Sequence, residues 1–138
     1  MQTSGYLEFN RVVFHYDRTA APVFDGLTHR FQPGWTAVVG ANGSGKTTLL
    51  KLACGMLVPS SGSVSSFDRV VYCPQRTDEP PDRAAEFLAA PDAGSNRLRG
   101  LLDIGPDWPD RWETLSHGER KRFQIAVALG REPNILAL

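Results

Sequence analysis

Residues 40–47 read Gly-Ala-Asn-Gly-Ser-Gly-Lys-Thr, which fits the pattern G-x-x-x-x-G-K-[S/T] of a phosphate-binding loop. Glycines let successive backbone N–H groups turn toward a polyphosphate, and a following helix presents its positive N-terminal end. In this pattern we expect Lys46 to reach the β- and γ-phosphates of a nucleotide and the Thr47 hydroxyl to hold Mg²⁺. The other candidate phosphate contacts are Gly40, Asn42, Gly43, Ser44, Gly45 and Thr48.

The segments on either side of the loop support this interpretation. Residues 34–40 form a short run rich in β-branched and aromatic side chains, which predicts a strand buried on both faces. Residues 46–56 carry apolar side chains around most of a helical circumference, which predicts a helix packed on several sides. A phosphate-binding loop has to follow a strand and open a helix, and this loop is predicted to do both.

The rest of the chain predicts a layered α/β domain. The predicted strands are 6–14, 22–31, 69–72 and one that begins at 134. The predicted helices are 82–90, 95–104 and 116–129, with turns at 25–26 and 59–62 and an irregular linker at 107–114. The first strands precede any helix and therefore predict an antiparallel part. The later strand–helix–strand order predicts a largely parallel core with a short helical insert.

The composition excludes several classes of protein. The chain has 138 residues, of which 41% are hydrophobic and 22% charged, and this is typical of one soluble globular domain. Lys and Arg total 15 and so do Asp and Glu, which gives no overall attraction to nucleic acid or to an anionic membrane. Neither a secretion signal nor an apolar stretch long enough to span a bilayer is found, so a cytoplasmic location is predicted.

Two further motifs, taken with the loop, resemble the ATP-binding cassette (ABC) family. Residues 72–75 (YCPQ) resemble its Q-loop, and residues 115–120 (LSHGER) resemble its LSGGQ signature, in the order that the family has. The resemblance covers nearly the whole chain. It implies a P-loop NTPase of ABC type, α/β, with a partial parallel core sheet, an N-terminal antiparallel β subdomain and a short helical insert. The resemblance thus implies a single domain with four parts, which are residues 1–33, 34–75, 76–114 and 115–138.

The resemblance also implies roles for individual residues, with ATP and Mg²⁺ as cofactors. Tyr16 matches the aromatic residue that stacks on adenine, and Gln75 matches the glutamine that approaches Mg²⁺ and the attacking water. The signature residues that would face the nucleotide of a second cassette are Ser116, His117, Gly118 and Glu119.

The signature departs from the family's pattern at two positions. His117 replaces a glycine, and there it either adds a donor or fills space. Glu119 replaces a glutamine and would repel phosphate unless it turns back to cap its own helix, which its spacing from Ser116 favours. The run Arg120-Lys121-Arg122 is interpreted as a solvated helix start.

The sequence ends at Leu138, where family members continue into an Asp-Glu pair that holds Mg²⁺ and polarises the attacking water. The resemblance therefore implies that this chain binds nucleotide, serves a partner through its signature and lacks the carboxylates that perform hydrolysis. We interpret the ending as a truncation and expect negligible ATP hydrolysis by these residues alone.

Three interpretations of the cassette's function remain open. Residues 115–138 resemble the F subfamily, whose soluble tandem cassettes act on ribosomes, and this is the preferred interpretation. The alternative is the ATP-binding subunit of a membrane transporter, peripheral at the inner face of the membrane. The third is a nucleotide-binding remnant. The expected partners are a second cassette that completes the ATP sandwich and either the ribosome or a membrane-domain subunit.

Overall fold

The computed structural model describes residues 6–17, 21–66 and 69–138. The chain divides into two compact units, Met1–Tyr72 with Ala137 and Cys73–Leu136 with Leu138, and each is described by itself. Residues 1–5, which are part of the basis for expecting no secretion signal, lie outside the described residues.

The first unit contains a three-stranded antiparallel sheet in the order β2-β1-β3. Its strands are β1 (Leu7–Phe14), β2 (Phe24–Phe31) and β3 (Ser61–Ser66). The central strand β1 buries Leu7, Phe9, Val12 and Phe14, so its apolar side chains form one wall of the core. The predicted strands at 6–14 and 22–31 and their antiparallel arrangement are thus confirmed.

Two predicted turns in this sheet are wrong. The turn at 25–26 is an irregularity inside β2, because Val12 pairs with Leu27 while Phe14 pairs with Phe24. The extra residue is accommodated by Gly26, whose φ of 76° is accessible mainly to glycine. The turn at 59–62 ends early, since Ser61 begins β3 opposite Val13. The Ser- and Gly-rich sequence predicts a turn by composition, and only pairing with β1 makes it a strand.

The strand predicted at 34–40 is also absent. Residues 35–40 have no regular secondary structure, and Trp35 is 100% and Val39 87% exposed. An apolar run becomes a strand only beside neighbours that pair with its N–H and C=O groups. In the described part of the chain the second sheet contains only β4 (Val70–Tyr72) and β5 (Ile135–Ala137). Both of these strands were predicted. Ala137 of β5 belongs to the first unit.

Helix α1 (Lys46–Ala53) completes the first unit and is one turn shorter than predicted. Leu52 and Ala53 are buried on its inner side together with Thr48. The helix follows directly on the glycine-rich loop, so its N-terminus and the loop form one structural feature.

The second unit is helical and is built around one aromatic cluster. It contains α2 (Ala84–Ala89), α3 (Ala93–Leu101), a 3₁₀ turn (Trp112–Thr114) and α4 (His117–Gly130). Phe123 of α4 is fully buried, and the rings of Phe87, Trp108 and Trp112 surround it at centroid distances of 6.3, 6.1 and 6.1 Å. The predicted linker 107–114 therefore contributes two core tryptophans, although its backbone is mostly irregular as predicted.

Candidate functional site

The glycine-rich loop enters helix α1 through Gly45, which has φ 96° and ψ 9°. A Cβ at this position would lie 2.7 Å from Cγ1 of Val23, so both the backbone conformation and the space require glycine. Residues 40–44 are exposed. The loop therefore presents its backbone to solvent immediately ahead of the helix.

The N-terminus of α1 lacks a side-chain cap. The first N–H groups of any helix have no partner inside the helix and carry a partial positive charge. In α1 the N-cap is Gly45, and no side chain accepts a hydrogen bond from these groups. In α4, by contrast, the Ser116 side chain caps the helix. The backbone donors of α1 and of the exposed loop thus fit an anionic phosphate group.

Lys46 places a positive charge at the start of the loop. Its Nζ donates hydrogen bonds to the carbonyl oxygens of Gly40 and Ala41, both at 2.8 Å. Two of the three ammonium donors are thereby used to hold the lysine across the loop. The residue is partly buried and lies at the first position of α1, so its charge adds to that of the helix N-terminus.

Tyr16 lies beside the first turn of α1. Its hydroxyl is hydrogen-bonded to Thr48 Oγ1 at 2.9 Å, and its ring meets that of Phe14 edge-on at 5.0 Å. The side chain nevertheless remains 66% exposed. An aromatic surface open to solvent thus lies within the same unit as the phosphate-binding loop.

The described residues fit a magnesium ion only when it is carried by a nucleotide. Thr47 is exposed in the first turn of α1, where its hydroxyl can contribute one oxygen ligand. Among residues 6–17, 21–66 and 69–138 there is no group of three His, Cys, Asp or Glu side chains that could hold a metal. Mg²⁺ commonly takes few protein ligands together with phosphate oxygens. Gln75, the second predicted metal ligand, belongs to the second unit.

The segment that carries Gln75 is held by one face of helix α4. Lys121 Nζ donates to the carbonyl of Pro74 at 2.7 Å, and Gln124 Nε2 donates to that of Arg76 at 2.8 Å. Lys121 and Gln124 also hydrogen-bond to each other at 3.1 Å. They are three residues apart and so share a helix face. The backbone on both sides of Gln75 is therefore bound, while the Gln75 side chain is exposed.

His117 contacts the same segment. Its Nδ1 is 3.1 Å from Thr77 Oγ1, and Thr77 is only 4% exposed. The carbonyl of Thr77 accepts a hydrogen bond from Trp112 Nε1 at 3.1 Å. His117 thus forms a specific contact where the family's pattern has a glycine. The roles of Thr77, Lys121 and Gln124 were not predicted; for Lys121 and Gln124 the available signal was their helical spacing on α4.

Glu119 turns back toward its own helix, as predicted. The Ser116 N–H donates to Glu119 Oε2 at 2.7 Å, and the Glu119 N–H donates to Ser116 Oγ at 3.2 Å. This is a complete capping box. The hydrogen bonds with Ser116 lower the pKa of the Glu119 carboxyl below its ordinary value, with a smaller contribution from the positive charges of Arg111 and Arg122.

Comparison with known proteins assigns the family. A profile of the ABC transporter family matches residues 24–138. The chain belongs to the ABC transporter family. The α/β P-loop fold implied by the resemblance is confirmed, while the assignment of residues 72–75 and 115–120 to family motifs stays a prediction.

Two curated relatives and one solved structure illustrate the similarity. The chain is 31% identical to the colicin V secretion/processing ATP-binding protein CvaB of Escherichia coli, over 94% of this chain and 23% of the relative. It is 46% identical to the mycobactin import ATP-binding/permease protein IrtB of Mycobacterium tuberculosis, over 94% of this chain and 28% of the relative. A putative metal-chelate type ABC transporter in an inward-facing conformation has the same fold, with a TM-score of 0.72 and 23% identity over 96% of this chain and 58% of that one.

These relatives favour one of the alternatives left open by the sequence. The chain spans about a quarter of the length of the two curated relatives. Both relatives are named for secretion or import, which favours the transporter alternative over the F subfamily. The preferred interpretation of residues 115–138 is therefore not supported, whereas the assignment to an ABC cassette is.

The basic run Arg120-Lys121-Arg122 is only partly exposed and also binds backbone carbonyls, so it is not simply the solvated helix start of our interpretation. Arg120 donates to the carbonyls of Trp112 at 3.0 Å and Glu113 at 2.9 Å. Arg122 donates to the carbonyl of Leu102 at 3.1 Å, and Lys121 binds Pro74. The carbonyls that these cations bind lie in loops, in the 3₁₀ turn and at the C-terminal end of α3, where regular secondary structure does not supply every partner. The run thus stabilises the helical unit of the cassette.

The capping box of the signature helix predicts an acid-dependent contribution to stability. Because the folded state lowers the pKa of Glu119, its contribution is fully present above the pKa of the unfolded chain and is lost as the pH falls through the folded pKa. Glu119→Ala is expected to lower the urea midpoint at pH 7, and the difference from wild type should shrink at acid pH. Glu79→Ala, in an exposed loop, serves as the control. A difference that is independent of pH would contradict the assignment.

Proposed function

We propose that this chain is the nucleotide-binding region of an ABC transporter and that it binds ATP together with Mg²⁺. The observation that carries the proposal is the exposed glycine-rich loop at the uncapped N-terminus of α1, with Lys46 held beside it. A triphosphate needs many donors and a positive potential at one place, and backbone N–H groups, helix dipole and ammonium are all combined here.

The nucleotide is proposed to contact three groups of residues. The phosphates bind to residues 40–46, Thr47 ligates Mg²⁺, and adenine stacks on Tyr16. Stacking suits Tyr16 because its ring is largely exposed and lies in the same unit as the loop. Gln75 is proposed to orient water and Mg²⁺ in the whole protein, and the bonds from Lys121 and Gln124 support this role because they hold the adjacent backbone.

The proposed partners are a second cassette and a membrane-embedded subunit or domain. The second cassette would receive the signature residues 116–119 opposite its nucleotide. A membrane partner is supported by the transporter names of the relatives. In the described ranges of this chain, no helix has both the length and the apolar character needed to cross a bilayer. We propose that the chain lies at the inner face of the membrane, attached through that partner.

The test of this proposal is equilibrium binding of ATP and of tripolyphosphate in the presence of Mg²⁺, measured by isothermal titration calorimetry. Wild-type protein is expected to bind both compounds saturably, and ATP more tightly because it adds the base. No saturable binding of ATP by folded wild-type protein would overturn the proposed function.

Tyr16→Ala is expected to weaken ATP binding roughly 5- to 150-fold, since stacking of one base on an aromatic side chain contributes about 1–3 kcal/mol. Binding of tripolyphosphate should change less than about twofold, because tripolyphosphate has no base to stack. The same titrations measure both values. Equal losses for the two compounds would show that Tyr16 supports the loop and does not bind the base.

A further inference from the structure

We infer that His117 is a positioning residue for the segment that carries Gln75, and that it acts through a hydrogen bond to Thr77. This inference deepens the proposed function and rests on the role proposed there for Gln75. It also distinguishes between the two roles that the sequence left open for His117, which are to add a hydrogen-bonding group or to fill space. The glycine of the family's pattern has no side chain and cannot make this contact.

Thr77 is the buried point of an otherwise exposed segment. Residues 74–76 and 78–80 are exposed, whereas Thr77 is 4% exposed. Its carbonyl accepts a hydrogen bond from Trp112 Nε1 at 3.1 Å, and its hydroxyl is hydrogen-bonded to His117 Nδ1, also at 3.1 Å. Leaving a buried hydroxyl without a partner costs free energy. The His117 ring therefore stabilises the buried position of Thr77, two residues beyond Gln75.

The side chains that hold this segment lie along one face of α4. His117, Lys121 and Gln124 are spaced by four and three positions, which places them on the same side of a helix. Lys121 and Gln124 bond to the backbone on either side of Gln75, and His117 adds a third attachment. Since His117 is the first residue of α4, directly after the N-cap Ser116, the segment is tied to the signature end of this helix.

His117→Leu tests the hydrogen bond, because leucine fills similar space but has neither donor nor acceptor. The measurement is cleavage by trypsin between Arg76 and Thr77 in the folded, nucleotide-free protein, which reports how often the segment opens. Cleavage is expected to be roughly two- to tenfold faster than in wild type, the range for one net hydrogen bond. His117→Asn keeps a hydrogen-bonding group near the position of Nδ1 and should restore most of the resistance.

Thr77→Val removes the other half of the same hydrogen bond without changing α4. Its cleavage rate, divided by that of the corresponding unfolded peptide, should rise as much as that of His117→Leu, and the double variant should be no faster than either single variant. Asn96→Leu is the matched control, because it removes an exposed hydrogen bond from α3 to the carbonyl of Pro91. It should leave cleavage after Arg76 unchanged.

The indole proton of Trp112 provides a second measurement, because it is bonded to the Thr77 carbonyl. In NMR spectra of His117→Leu its exchange with deuterium should accelerate, while that of the buried Trp108 stays unchanged. Equal cleavage of wild type and His117→Leu, no recovery in His117→Asn, or equal acceleration at both tryptophans overturns the inference and leaves the proposed function intact. Absence of ATP binding by wild type overturns the proposed function, and with it the role of Gln75 on which the inference rests.

Discussion

Replacing Lys46 with alanine is expected to weaken ATP binding about 10- to 150-fold, the effect of losing a hydrogen bond from a charged donor worth about 1.5–3 kcal/mol. The ammonium is held across the loop by the carbonyls of Gly40 and Ala41, where it adds its charge to the uncapped N-terminus of α1. Removing it takes away a phosphate donor and also the two bonds that hold the loop. Both losses act in the same direction on affinity.

The measurement is a titration with a fluorescent ATP analogue at a fixed, near-physiological salt concentration, because low salt exaggerates the attraction between exposed charges. Lys51→Ala is the matched control: it removes the same charge from the same helix, but in its last turn. Lys46→Met keeps most of the length of the side chain but removes the ammonium with its charge and its two hydrogen bonds, so it should resemble Lys46→Ala. An affinity for Lys46→Ala within twofold of wild type would contradict the assignment of the loop.

Phe123→Ala is expected to lower the free energy of unfolding of the helical unit by about 3–5 kcal/mol. Phe123 is fully buried at the centre of the cluster formed by Phe87, Trp108 and Trp112, so its removal leaves a cavity lined by rings that cannot easily move together. Since whole domains are stable by only about 5–15 kcal/mol, a loss of this size should unfold a large part of the population under mild denaturing conditions.

Tryptophan fluorescence during urea unfolding measures this loss, because two of the three tryptophans contact Phe123. A Trp35→Phe background removes the signal of the third tryptophan, which is fully exposed in the first unit. Leu101→Ala is the control for losing an apolar side chain at a site that is 73% exposed, and it should cost less than about 0.5 kcal/mol. A loss below about 1 kcal/mol for Phe123→Ala would mean that the cluster does not hold the unit together.

The predictions that succeeded rest on local chemistry. The loop at 40–47 requires glycine, lysine and a hydroxyl at fixed spacing, and this pattern by itself predicted the entry into α1. The capping box of Ser116 and Glu119 is likewise complete within four residues, so its geometry follows from the sequence. Features of this kind need no knowledge of distant segments.

The predictions that failed depend on distant partners. Residues 34–40 have the composition of a buried strand, yet a strand forms only where another strand supplies hydrogen bonds. Residues 59–62 have the composition of a turn, yet Ser61 and Gly62 belong to β3, which pairs with β1. The basic residues 120–122 were interpreted as solvated because nothing in the sequence shows which groups they bind. Those groups are the backbone carbonyls of residues 74, 102, 112 and 113.

By itself, the sequence determined where the phosphate loop lies, where helices α1 and α4 begin and to which family the chain belongs, because each depends on residues adjacent in the chain. Only the tertiary structure decided which hydroxyl faces Tyr16, which side chains hold the segment around Gln75 and what His117 contacts. Those choices depend on side chains separated by 32 to 48 positions. Such side chains meet only after packing of the apolar core has set the distances between strands and helices, and a hydrogen bond forms only when that packing brings its donor and acceptor within about 3 Å.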